Sequence, residues 1–178
     1  MALFAIADLH LPIGVDKPMD IFGDKWSNWW DTVGKLEKYV TKNCYADIHF
    51  MQNNSYLYKG VAICGTRGWV CPGSDNFSQD DEKIYARELA RAELSLESSL
   101  KYNAQHTIFF MHYPPAKSNQ SPDEGFSKIF ANYGVEKVVY GHIHGNGHYS
   151  ALIGEYERIQ YILASADYLE FKPLKIFD

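Results

Sequence analysis

Short apolar runs that end abruptly in polar residues recur along this chain. Leu3 to Ala7 gives way to Asp8-Leu9-His10, and Thr107 to Met111 runs into His112-Tyr113-Pro114-Pro115. Val135 to Tyr140 leads straight into Gly141-His142-Ile143-His144-Gly145. Each reads as a buried strand that delivers polar side chains at its carboxyl end. His49 to Gln52, Ser55 to Tyr58, Ile159 to Ala164 and Leu174 to Phe177 read as further strands. Lys59-Gly60 marks a turn into Val61-Ala62-Ile63-Cys64 and so predicts a hairpin.

Helical spacing separates these runs. Ser78 with Asp81 three residues later resembles a capping box, and Tyr85, Leu89, Ala92, Leu96 and Leu100 recur every three or four residues. The pattern predicts a helix between Ser78 and Asn103 whose apolar face covers a sheet. Trp29, Val33, Leu36 and Val40 give a mixed helical spacing from Trp29 to Val40, after a loop-like stretch from Leu11 to Lys25. A short helix is predicted from Phe126 to Asn132, ending near Gly134. There are no repeats and no evident linker, so strands alternating with helices predict one α/β domain over residues 1–178.

Charge and composition narrow the function. The formal net charge is −5 and no run of Lys and Arg forms a basic stripe, so there is no clear nucleic-acid surface. A phosphate ester would have to be neutralised locally, for which bound metal ions would serve. Cys44, Cys64 and Cys71 are odd in number and irregular in spacing, a poor disulfide framework without the CxxC pairs of a zinc ribbon. They read as reduced thiols of a cytoplasmic protein. The opening Met1 to Ala7 lacks a basic region, and its apolar run is far too short for a membrane span. No Walker loop, dinucleotide fingerprint or G-x-S-x-G elbow is present.

The chemistry sits at the strand ends. In α/β sheets, ligands bind beyond the carboxyl ends of the strands, where loops converge. Asp8, His10, His112, His142 and His144 stand at three such ends. Singly, a His after a strand is most often a satisfied polar residue, and Asp8 would merely begin a turn. Together they read as one shared metal site, with nitrogen and oxygen donors suited to Mn, Fe, Zn or Ni. Gly141 and Gly145 allow the tight turn that presents His142 and His144 together. Arg67 is a candidate substrate-binding residue, because a guanidinium fork matches phosphate oxygens, although a surface arginine is the commoner case.

Asp8-Leu9-His10 resembles the opening D-x-H of the calcineurin-like metallophosphoesterase superfamily. His112 resembles its isolated histidine, and Gly141-His142-Ile143-His144 resembles its closing G-H-x-H. Phe22-Gly23-Asp24-Lys25-Trp26 and Gly65-Thr66-Arg67-Gly68-Trp69 are similar to a bacterial phosphohydrolase branch of that family. The resemblance implies a sandwich of two mixed β-sheets flanked by helices, with a dinuclear centre that hydrolyses phosphoesters. It implies Asp8, His10 and His144 on one metal, and His112 with His142 on the other. A small phosphoester is the partner it implies.

The chain departs from that family in the middle. The second and third motifs, G-D-x-x-D and G-N-H-D/E, are absent, and Trp29-Trp30 reads as the downstream end of an excised stretch near 28–29. The missing stretch would be on the order of one or two βαβ units of ~30 residues each. With three candidate ligands the first metal is expected to bind; the second keeps two and is expected to bind poorly. The alternative expectation is a degenerate, non-catalytic module that binds a metal or a phosphate ligand. Loss of a central strand would expose sheet edges, so a homo-oligomer is a further expectation.

Overall fold

The computed structural model describes residues 2–9, 51, 53–75, 77–117 and 121–178. The expected Trp29–Val40 helix, most of the His49–Gln52 strand, Cys44 and His10 lie outside the described residues. The strands are β1 (Leu3–Ala5), β2 (Ser55–Tyr58), β3 (Val61–Thr66), β4 (His106–Met111), β5 (Lys137–Tyr140), β6 (Gly154–Tyr156), β7 (Ile159–Leu163) and β8 (Leu174–Phe177). The α-helices are α1 (Gln79–Glu97) and α2 (Glu124–Asn132).

The chain is an α/β protein. Its main sheet has six strands in the order β2-β3-β4-β5-β7-β6. β3, β4, β5 and β7 run parallel, and β2 and β6 are antiparallel edges. β1 and β8 form a separate antiparallel pair. Alternation along each strand then sorts side chains onto two faces. Ala62, Cys64, Phe109, Val138 and Tyr161 meet Ala92, Leu96, Phe126 and Phe130 of the helices on one face. Val61, Ile108 and Val139 face Ala5 and Ile176 of the two-stranded sheet on the other. The main sheet is therefore covered on both faces, which suits its parallel strands.

Local chemistry explains the boundaries. The β2–β3 hairpin closes through Lys59 and Gly60, both with positive φ (47° and 80°), the backbone of a twist-matched two-residue turn. Ser78 caps α1, because its hydroxyl accepts from the Asp81 N–H at 3.2 Å while the Asp81 carboxylate accepts from the Ser78 N–H at 2.9 Å. Trp69 Nε1 donates to the same carboxylate at 2.9 Å, tying the helix start to the loop after β3. Asp123 caps α2 by accepting from the Phe126 N–H at 3.0 Å, and it also takes the Tyr85 hydroxyl at 2.5 Å. That hydroxyl links the two helices over the sheet.

Two expectations are corrected, and one strand forms that the pattern does not predict. The strand expected over Leu3–Ala7 stops at Ala5 and is only half buried; Ala7 continues by a single parallel bridge to Ser165. The long helix ends at Glu97, and the chain tightens into a 3-10 turn over Leu100–Tyr102 that stops on Asn103 in the left-handed region. Leu100 is consequently 67% exposed rather than on the buried face. β6 was not expected, since all three of its residues are exposed and its turn, Glu157-Arg158, takes positive φ without glycine or asparagine. Among the described residues, no helix is long and apolar enough to cross a membrane.

Burial gives the fold an alkaline limit. It pushes the thiols of Cys64 and Cys71 and the phenols of Tyr85, Tyr140 and Tyr161 above their ordinary values of 9.0 and 10.0. A folded-state pKa above the unfolded one means stability is intact below the unfolded value and is lost as pH rises through the folded value. The urea midpoint is therefore expected to be level up to about pH 8 and to fall above about pH 9–10. Cys71→Ala and Tyr85→Phe should flatten that fall; an unchanged midpoint across the range would contradict it.

Candidate functional site

The carboxyl ends of the four parallel strands deliver one residue cluster. β3 ends at Thr66 and Arg67 follows; β4 ends at Met111 and His112 follows; β5 leads through Gly141 to His142. β7 leads through Ala164, Ser165 and Ala166 to Asp167. Asp8 joins them because Ala7 is stitched to the end of β7: its N–H donates to Ala164 O at 2.7 Å, and its carbonyl accepts from Ala166 N at 2.9 Å. A segment from the N-terminus thus reaches the same edge as the parallel strands.

Asp8 is the hub. Its side chain is only 6% exposed, and Oδ1 lies 3.0 Å from His112 Nδ1. Oδ2 accepts the backbone N–H of His142 at 2.5 Å. His112 Nε2 in turn lies 3.0 Å from His142 Nδ1. One proton assignment satisfies the chain: His112 donates from Nδ1 to Asp8, and Nε2 accepts from His142 Nδ1. Burial raises the Asp8 carboxyl, but the hydrogen bonds from His112 and from the His142 N–H outweigh it, so its pKa is lowered. Burial first, then the neighbouring His112, lowers the pKa of His142 and favours its neutral ring.

Both backbones are strained to make this contact. Asp8 has φ 56° and His142 φ 71°, left-handed values that cost of order 1–3 kcal/mol each in a residue with a side chain. Gly141 is required between the strand and His142, because a Cβ there would run into the Asp8 carboxylate and the Ala7 side chain. Tyr113 walls the other side, its ring centroid 4.2 Å from that of His142 and 5.2 Å from that of His112.

His144 belongs to a second carboxylate. Its Nδ1 lies 2.8 Å from Asp167 Oδ1, and Asp167 Oδ2 accepts the Gly145 N–H at 2.9 Å. That bond places the Nδ1 proton against the carboxylate and leaves the lone pair of the neutral ring on Nε2. His148 Nε2 stands 3.2 Å from Asp167 Oδ2 yet makes no hydrogen bond, and the buried Ser165 hydroxyl has no partner among the described residues. Burial raises the Asp167 carboxyl, but the Gly145 N–H and the bond to His144 bring it below its ordinary value.

Of the five residues expected at the site, the structure brings Asp8, His112 and His142 into mutual contact. His144 sits at the far end of the same turn, on Asp167, and His10 lies outside the described residues. Asp167 and His148 were not anticipated. Asp167 stands four residues beyond the end of β7, so the strand-end rule that found His112 does not single it out. His148 is brought in by the 3-10 turn Gly145–Ser150. Arg67 is adjacent through its backbone, its carbonyl accepting from the N–H groups of His112 and Tyr113 at 3.0 Å each.

The donor set suits a divalent ion of borderline hardness, being imidazole nitrogen and carboxylate oxygen. Ligand distances of about 2.0–2.1 Å place two nitrogens of one metal roughly 2.9–3.4 Å apart, and the His112–His142 spacing of 3.0 Å falls in that range. Among the described residues, however, no three His, Cys, Asp or Glu side chains converge as ligands of a single ion. Compared with protein-family models, curated proteins and solved structures, the chain finds no match in any of the three.

Asp167→Ala would leave the Gly145 N–H and His144 Nδ1 without their acceptor. A loss of about 1–3 kcal/mol is expected in urea denaturation. The nitrogen spectrum of His144 should also lose its preference for the Nδ1–H tautomer. An unaltered tautomer in the variant would show that the contact does not orient the ring.

Proposed function

We propose that this chain is a metal-dependent phosphoesterase of the calcineurin-like kind. The observation that carries the reading is the contact among Asp8, His112 and His142 at the edge where the parallel strands end. These are three of the residues that match the D-x-H, His and G-H-x-H pattern. The sheet arrangement supports it: a six-stranded mixed sheet packs against helices on one face and a two-stranded sheet on the other, as a two-sheet sandwich would.

His112 and His142 would hold one ion, and Asp8 with His144 would contribute to another, along with His10. Bound there, divalent metals supply an activated water and positive charge to stabilise the phosphoryl group. The chain's own residues do the positioning. Asp8 fixes the plane of the His112 ring and the backbone turn at His142. Asp167 fixes the ring of His144. Tyr113 covers one face of His142 and restricts water there. The residue types expect no protein nucleophile.

Absence of the G-D-x-x-D and G-N-H-D/E motifs from the sequence favours a second reading, a module that binds a metal or phosphate ligand without turnover. One experiment separates the two. The full chain is titrated with Mn, Zn, Fe or Ni, then assayed on a chromogenic phosphodiester and monoester. Metal-dependent turnover is expected, falling roughly 10²–10³-fold in His112→Ala and His142→Ala, the scale of losing one transition-state stabilising group. Metal binding with no hydrolysis would favour the binding module; neither binding nor turnover would sink both readings.

A further inference from the structure

Glu88 is a carboxylate with 0% exposure on the face of α1 that packs against β3. A buried charge must be paired, and removing its partner is costly. Glu88 is paired more than once. Oε1 accepts from Arg91 Nη1 at 2.7 Å and Oε2 from Thr66 Oγ1 at 2.6 Å, so both oxygens are satisfied. Arg67 Nη2 nevertheless stands 3.5 Å from Oε1. Two guanidinium groups therefore face one carboxylate, leaving one positive charge in excess in a chain whose net charge is −5.

The surplus is open to solvent. The Arg67 side chain is 47% exposed and that of Arg91 32%. Arg67 is held from one side by stacking over the Trp69 ring, 4.5 Å from its centroid, and among the described residues its guanidinium donates no hydrogen bond. Both arginines line one cleft of about 250 Å³ together with Met51, Asn53 and Thr66. That is smaller than the usual space for a drug-sized ligand and fits a single small group. Paired guanidinium forks above a fixed counter-charge are suited to the tetrahedral oxygens of a phosphate.

The cleft is linked to the strand-end site through Arg67, which lines it. Arg67 shares its backbone carbonyl with His112 and Tyr113, and the rings continue from Trp69 to Tyr113 at 4.9 Å and from Tyr113 to His142 at 4.2 Å. We propose that the Arg67–Arg91 cleft is an oxyanion subsite that holds a second phosphate group of the substrate. The substrate class is thus a phosphoester bearing a further phosphate. This assignment rests on the phosphoesterase reading; binding of phosphate in the cleft does not.

The full chain is titrated calorimetrically with inorganic phosphate in EDTA, which removes any metal from the histidine cluster. One saturable site is expected. It should weaken about tenfold or more in Arg67→Gln and in Arg91→Lys, a change that keeps a cation on Glu88 so that the fold survives, as thermal unfolding would verify. Binding should persist in His142→Ala. No saturation in the wild-type chain, binding that survives both arginine variants, or binding lost in His142→Ala would each overturn the cleft.

The substrate assignment has its own arm. With metal present, Arg67→Gln should raise KM for an alkyl bisphosphate about tenfold, and more than for a chromogenic monoester. Equal effects on both substrates would mean that the cleft takes free phosphate instead, overturning the assignment. Absence of all turnover would also overturn it, together with the phosphoesterase reading, while the EDTA titration still decides whether the cleft binds phosphate.

Discussion

The turn Gly141-His142-Ile143-His144-Gly145 is pinned at both ends by carboxylates from other parts of the chain. Asp8 accepts the N–H of His142, and Asp167 accepts the N–H of Gly145. Each carboxylate also meets an imidazole, Asp8 that of His112 and Asp167 that of His144. A loop held only by its own backbone would sample many conformations at a cost of about 1–2 kcal/mol per residue to order. Here two buried or half-buried carboxylates fix where it begins and where it leaves, and the site geometry depends on that pair.

Those carboxylates arrive by different routes, which explains why the main sheet must be parallel in its centre. β4, β5 and β7 end side by side, with Met111 opposite Tyr140 and Tyr140 opposite Leu163 in register. Their following residues are consequently brought to one edge. Asp8 has no strand in that sheet and reaches it through the bridge between Ala7 and Ser165. The β1–β8 pair, packed on Val61, Ile108 and Val139, sets the direction from which Asp8 enters. Core packing and site geometry are linked at this point: Ala5 is buried against the sheet, and three residues later the chain supplies the hub of the cluster.

Much of this was legible because strand ends and helix caps carry local signals. The run Thr107–Met111 followed by His112, the Ser78–Asp81 box and the Lys59-Gly60 turn each state their structure in a few adjacent residues. Three kinds of information were not local. β6 has no buried side chain, and its turn takes positive φ at Glu157 and Arg158, which residue type does not announce. Leu100 keeps the helical spacing but falls after the helix has tightened into a 3-10 turn. Asp167 looks like any loop carboxylate until β7 is placed beside β5, because its partners lie 22 and 23 residues away in sequence.

Glu88 shows the same limit from the core side. Its place on α1, three residues after Tyr85 and four before Ala92, puts it on the apolar face, where a carboxylate conflicts with the pattern. Replacing a paired buried charge by an apolar residue of similar size is often neutral or stabilising, so packing alone gives little reason for one here. What Glu88 does is hold Arg91 by a 2.7 Å bond and keep Arg67 within 3.5 Å, both on the lining of one cleft. An arginine without such an anchor would spend its time in many rotamers and would lose more entropy on meeting an anion. The carboxylate inside the core is thus best understood through the two cations it orders outside it, just as Asp8 is understood through the histidines.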